Sequence, residues 1–190
     1  TATTSPTPTK SAVVSPSAGT TPTSGKTATP STTTTPTVET KNSEESIPFR
    51  TPSTLICNLT VSFKYPTDFS VRRTGGTPMV GGAAWLEIYQ SNTKSIFIDN
   101  SSADIHSDYS PATCATPGYE SLSDFATRKN ISNYTSITIN GLSAIQYTMS
   151  GQRKATSIQN SNKKVVTVSA EVDSSNSDAY DIIINSVSFN

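Results

Sequence analysis

Leu55-Ile56-Cys57-Asn58-Leu59-Thr60-Val61-Ser62-Phe63-Lys64-Tyr65 is the stretch on which the fold turns. Leu59, Val61, Phe63 and Tyr65 alternate with Thr60, Ser62 and Lys64. A period of two puts alternate side chains on opposite faces, so this is a strand with one buried face. Pro66-Thr67-Asp68 interrupts it and Phe69-Ser70-Val71-Arg72 begins another. Gly75, Gly76, Gly81 and Gly82 frame a flexible loop around Pro78. Ala84–Tyr89 and Ser95–Asp99 read as further strands, with Trp85 expected in the core, and the polar residues 100–119 as a long loop.

Ser121 is placed to cap a helix with Leu122, Phe125 and Ala126 on its apolar stripe. Asn140-Gly141, between Ile137/Ile139 and Ile145/Tyr147, predicts a tight hairpin turn. Ala155–Gln159 pairs with Val165–Val172 around Asn160-Ser161-Asn162-Lys163. Ser177-Asp178 would cap a closing helix with Ala179, Ile182, Ile183 and Ser186 three to four residues apart. Strands, a helix, four strands and a helix predict an α+β sandwich around an antiparallel sheet.

Upstream the composition changes. Residues 1–46 hold sixteen Thr, eight Ser and six Pro, while all aromatics and both cysteines come later. Such a segment cannot bury enough apolar surface to offset its ordering entropy. Pro and β-branched Thr favour a semi-extended chain, so 1–46 reads as a disordered stalk or linker and 47–190 as one domain. Fourteen basic and fourteen acidic residues give zero net charge, which leaves no field to gather nucleic acid. With only 15% charged residues, solubility rests on Ser, Thr and Asn, a balance suited to an extracytoplasmic protein. A stalk implies something to stand on, so the sequence leads us to expect an anchor or export signal before Thr1, as in a lipoprotein or other membrane-tethered protein.

Four motifs then resemble PsbP-like domains. Phe63-Lys64-Tyr65-Pro66 with Asp68-Phe69 is similar to their opening motif. Ser121-Leu122 with Phe125-Ala126 resembles their first helix. Asn140-Gly141-Leu142 with Ala144, Gln146 and Tyr147 resembles their hairpin, and Tyr180–Ile183 through Phe189 their closing helix. The likeness covers residues 61–190, with Phe69 and Val187 departing from the usual Trp and Phe and with 72–119 unmatched. It implies an α/β/α sandwich with a central antiparallel sheet. It also implies a non-enzymatic binding or assembly subunit, often a lipoprotein in bacterial relatives. No residue matches a photosystem-specific site, so that role is not carried over.

Site chemistry is sparse. Asp104, His106 and Asp108 alternate, so an extended chain would show two carboxylates and the only imidazole on one face. That set could hold a divalent metal, or it could be a solvated polar loop. Cys57 and Cys114 could pair, closing a loop worth roughly 4 kcal/mol on the entropic model, or stay free. No G-x-S-x-G elbow or phosphate-binding glycine loop is present, so no reaction is assigned and no cofactor is expected. The sequence-level expectation is an extracytoplasmic binding or assembly module that meets a protein partner of the cell envelope through Arg72–Val80 and Asn100–Gly118. A metal-binding surface protein and a purely structural surface protein are the alternatives.

Overall fold

The computed structural model describes residues 37–50, 56–74, 85–101 and 121–190. The chain runs β1 (Thr40–Arg50), β2 (Ile56–Pro66), β3 (Ser70–Thr74), β4 (Trp85–Tyr89), β5 (Ile96–Asn100) and α1 (Leu122–Arg128). It continues through β6 (Thr135–Ile139), β7 (Leu142–Thr148), β8 (Lys154–Gln159), β9 (Val165–Ala170), α2 (Ser177–Ile184) and β10 (Ser188–Phe189). The strands form two antiparallel sheets, β1-β2-β10 and β3-β4-β5-β9-β8-β7-β6.

This corrects the predicted α+β class and its α/β/α sandwich. The described residues are β-rich, and the two α-helices have only seven and eight residues, about two turns each. Both helices lie close to where the sequence places them, α1 with its expected cap and stripe, but they are too short to form layers of their own. Regular structure also starts inside the segment read as stalk. β1 begins at Thr40 and pairs with β2 in unbroken register from Thr40↔Pro66 to Arg50↔Ile56. Its first seven residues contain no apolar side chain, so composition gives no sign of the strand. The backbone partners of β2 supply it instead.

The alternation of β2 is realised as predicted: Leu59, Val61, Phe63 and Tyr65 are buried. They share the main core with Leu86 and Ile88 of β4, Ile96 and Ile98 of β5, Val166 and Val168 of β9, and the inner face of α2. Fully burying an aliphatic side chain of this kind is worth about 1.5–3 kcal/mol. The predicted hairpin is also present. Ile139 faces Leu142 across Asn140 (φ 50°) and Gly141 (φ 79°), a two-residue turn with both central residues left-handed. β8 and β9 form the second expected hairpin.

The opposite face of the large sheet carries a smaller core. Leu122, Phe125 and Ala126 of α1 pack there with Ile145 of β7 and Val165 of β9. The Ser121 hydroxyl accepts from the Asp124 amide at 3.1 Å, the cap anticipated from sequence. Trp85 is not in either core. It stands on this second face with Glu87 and Tyr89 and is 40% exposed, because Leu86 and Ile88 take the buried positions of the strand.

Candidate functional site

The residues singled out from sequence fall largely outside the described chain. Asp104, His106, Asp108 and Cys114 all do so, as do most of Arg72–Val80 and Asn100–Gly118. Cys57 lies in β2 opposite Phe49, with its side chain outside the description. Among the described residues no three His, Cys, Asp or Glu side chains gather as a metal site.

What the fold does assemble is a row of oxygen atoms across the second face of the large sheet. Strand register creates it: Asp99 on β5 stands opposite Thr167 on β9, and Thr167 opposite Ser157 on β8. Tyr147 on β7 extends the row past Ser157, and Ser101, just beyond β5, bridges Asp99 and Thr167. Ser101 Oγ lies 2.6 Å from both Asp99 Oδ1 and Thr167 Oγ1. Thr167 Oγ1 is 2.7 Å from Ser157 Oγ, which is 3.1 Å from the Tyr147 hydroxyl. Ser101, Ser157 and Thr167 are buried. A buried hydroxyl with no partner is costly, and here each satisfies the next. Burial pushes the Tyr147 phenol above its ordinary value. The Ser157 hydroxyl opposes that shift and the nearby Asp99 charge adds to it. Tyr147 is therefore a protonated phenol at neutral pH.

A cavity of about 450 Å³ opens on this row. Its sheet side is Asp99, Ser101, Thr167 and Tyr147, and its other wall is the turn from Lys129 to Asn133 that follows α1. Local geometry fixes that turn: Asn130 adopts φ 55°, and the Ile131 amide donates to the Ala126 carbonyl at 2.8 Å. Ile131 then packs on the smaller core. A second cavity shares Ser132, Asn133, Tyr147 and Thr148 and adds Tyr134, Gln146 and Lys154. Tyr134 is 38% and Met149 40% exposed at the rims. Hydroxyls and amides beside exposed, amphipathic Tyr and Met are a surface suited to binding.

A second polar cluster lies towards the sheet's β3 edge. Arg72 Nε meets the buried Glu87 at 2.8 Å, Ser95 Oγ donates to its other oxygen at 2.6 Å, and the guanidinium sits 4.6 Å from the Tyr89 ring centre. The Arg72 hydrogen bond, then that of Ser95, holds the Glu87 carboxyl below its ordinary value. The ionised form is thus favoured by folding. Its contribution is present above the ordinary carboxylate value of about 4.3 and is lost as pH falls through the lower folded value. We expect Glu87→Gln to flatten the acid limb of stability. Urea midpoints at pH 7 and pH 3 should differ less in the variant than in the parent protein; an unchanged difference would remove Glu87 from the acid response.

No protein-family model matches the chain. Searches of curated proteins and of solved structures likewise return no significant match. None of these comparisons identifies a PsbP-like domain. No helix among the described residues is long and apolar enough to cross a membrane.

Proposed function

We propose that the protein is a non-enzymatic, extracytoplasmic binding module, held off a membrane by its Thr/Ser/Pro-rich stalk, that engages an envelope partner through the paired cavities beside Tyr147. The observation that carries this reading is the row Asp99–Ser101–Thr167–Ser157–Tyr147, of which Asp99, Ser101, Thr167 and Tyr147 line a cavity of about 450 Å³. Its hydroxyls are held by one another, which makes them fixed recognition points. A rigid sheet that presents fixed polar groups beside exposed Tyr134 and Met149 spends little entropy on binding. The stalk composition and the low charge support the compartment, and the PsbP-like motifs support a binding role.

The test is affinity capture from the envelope fraction of the source organism with the full 190-residue chain as bait. Thr148 is exposed and lines both cavities, so Thr148→Trp fills them from the rim. A species retained by the parent chain should be lost with the variant. Equal retention by both would show that the cavities are not the binding surface.

A further inference from the structure

Strand β1 is the outer strand of the β1-β2-β10 sheet, and among the described residues nothing pairs with its other edge. Register decides which backbone groups that edge presents. Bonds across an antiparallel pair link directly opposite residues at every second position. The Thr67 amide donates to the Glu39 carbonyl at 3.1 Å, so the odd-numbered residues of β1 are the ones bonded to β2. The Lys64 amide, opposite Asn42, accordingly turns away from β1 and donates to Ser186 Oγ at 2.8 Å. Thr40, Asn42, Glu44 and Ser46 therefore aim their N–H and C=O groups outwards. Pro48 faces the same way, has no N–H and ends the run, a position suited to proline on a strand edge. An unpaired run of this kind is a template for another strand.

The side chains select the occupant. Residues 40–46 offer no apolar side chain to hold a hydrophobic segment, so backbone pairing and charge decide. Lys41-Asn42-Ser43-Glu44-Glu45 is complementary to itself when reversed. From this we propose that the outer edge of β1 binds a second copy of the chain, antiparallel and two-fold symmetric about Ser43. Asn42 then faces Glu44 and Thr40 faces Ser46 in hydrogen-bonded pairs that use every outward group from 40 to 46. Lys41 faces Glu45 in non-hydrogen-bonded pairs, where side chains approach most closely. Symmetry supplies each pair twice. Within one copy Lys41 meets the Thr67 carbonyl and the Tyr65 ring, and Glu45 meets the Ser43 hydroxyl. Those partners are neutral, so among the described residues neither charge has an opposite one. Neighbouring registers fail on charge. Moving the axis to Asn42 sets Glu39 against Glu45. Moving it to Glu44 sets that residue against its own copy and Thr40 against Pro48. The mixed charges thus admit one register and repel the next on either side. This proposal is independent of the cavity reading above.

Sedimentation velocity of the full chain, from about 1 μM to about 1 mM, reads the oligomeric state across the range of weak association. We expect a monomer–dimer equilibrium. Asn42→Pro removes an outward N–H and leaves the bonds to β2 alone. It should weaken the dimer about tenfold or more, since each copy loses a bond, with an unchanged far-UV circular dichroism spectrum. Glu45→Lys sets two lysines opposite each other and should weaken the dimer several-fold. Adding Lys41→Glu restores opposite charges across the axis and should recover most of that loss. Hydrogen exchange gives the local reading: the Asn42 and Glu44 amides should gain protection as the dimer fills. A monomer at every concentration overturns the proposal. Should those amides be protected in that monomer, the edge belongs to another segment of the same chain. A dimer indifferent to Asn42→Pro and Glu45→Lys also overturns it, because the contact then lies elsewhere. So does a charge swap that recovers nothing. None of these outcomes bears on the cavities, which Thr148→Trp tests separately.

Discussion

Tyr180→Ala is expected to destabilise the fold by about 3–5 kcal/mol, the range for truncating a large buried aromatic. A domain of ordinary stability has about 5–15 kcal/mol in total, so most of the margin would go. Tyr180 lies on the inner face of α2, is fully buried and joins the main core. Its ring fills the space between the helix and the large sheet, and the Lys154 amine sits 4.9 Å from its centre. Its hydroxyl is 2.8 Å from Thr156 Oγ1 and donates to the Val168 carbonyl at 3.4 Å. Thr156 and Val168 face each other across β8 and β9, so one phenol spans the pair. Burial pushes that phenol well above its ordinary value, so it stays a neutral donor at any working pH. Tyr180→Phe separates the two contributions. It keeps the ring and removes only the hydroxyl, at about 1–2 kcal/mol. Urea unfolding followed by far-UV circular dichroism reads both. If alanine costs no more than phenylalanine, the ring is not what holds α2 to the sheet.

Tyr180 also shows how far the sequence could be read. Helical spacing picked out Ala179 and Ile183, which are buried, but it chose Ile182 and Ser186 for the same stripe and passed over Tyr180. The actual stripe turns towards Tyr180 and Ile184, a rotation that a two-turn helix has too few residues to declare. Strand alternation was more legible. Leu59 to Tyr65 and the Asn140-Gly141 turn are local signals, and local signals survive into the fold. β1 was hidden because Thr40–Ser46 has no apolar face of its own and acquires its structure from a partner strand. Trp85 misled because alternation gives two faces without saying which is covered. The candidate site was the least legible part. Asp99, Ser101, Tyr147, Ser157 and Thr167 are ordinary residues in a Ser/Thr-rich chain, and only the register of four strands brings them into one row.

A side chain that sequence reasoning assigned no role should give the second large effect. Asn176 precedes α2, one residue before the Ser177-Asp178 pair that the sequence suggests as its cap; its side chain makes no bond to the helix, and it is 1% exposed. Its Oδ1 accepts from the Asp173 amide at 2.9 Å. Its Nδ2 donates to the Lys94 carbonyl at 3.0 Å and the Glu171 carbonyl at 3.1 Å. One amide therefore ties the β4–β5 turn to the β9–α2 connection. Around it sits an ion cluster, with Lys94 Nζ 2.9 Å from Glu171 and 4.0 Å from Asp173. The two devices join the same segments but differ in burial. The ionic side chains are about half exposed, and water and salt screen such pairs. Asn176→Ala instead removes the buried side chain that pairs one part-buried backbone amide and two carbonyls, at about 2–4 kcal/mol for the set. Asn176→Asp should be as damaging, because it keeps the acceptor but turns a carboxylate towards two carbonyl oxygens. Lys94→Met should leave the urea midpoint nearly unchanged and insensitive to added salt. Hydrogen exchange at the Asp173 amide gives a local reading, faster in Asn176→Ala, which removes its acceptor, and unaltered in Lys94→Met. A Lys94→Met protein as unstable as Asn176→Ala would place the joint in the ion cluster and take it from the asparagine.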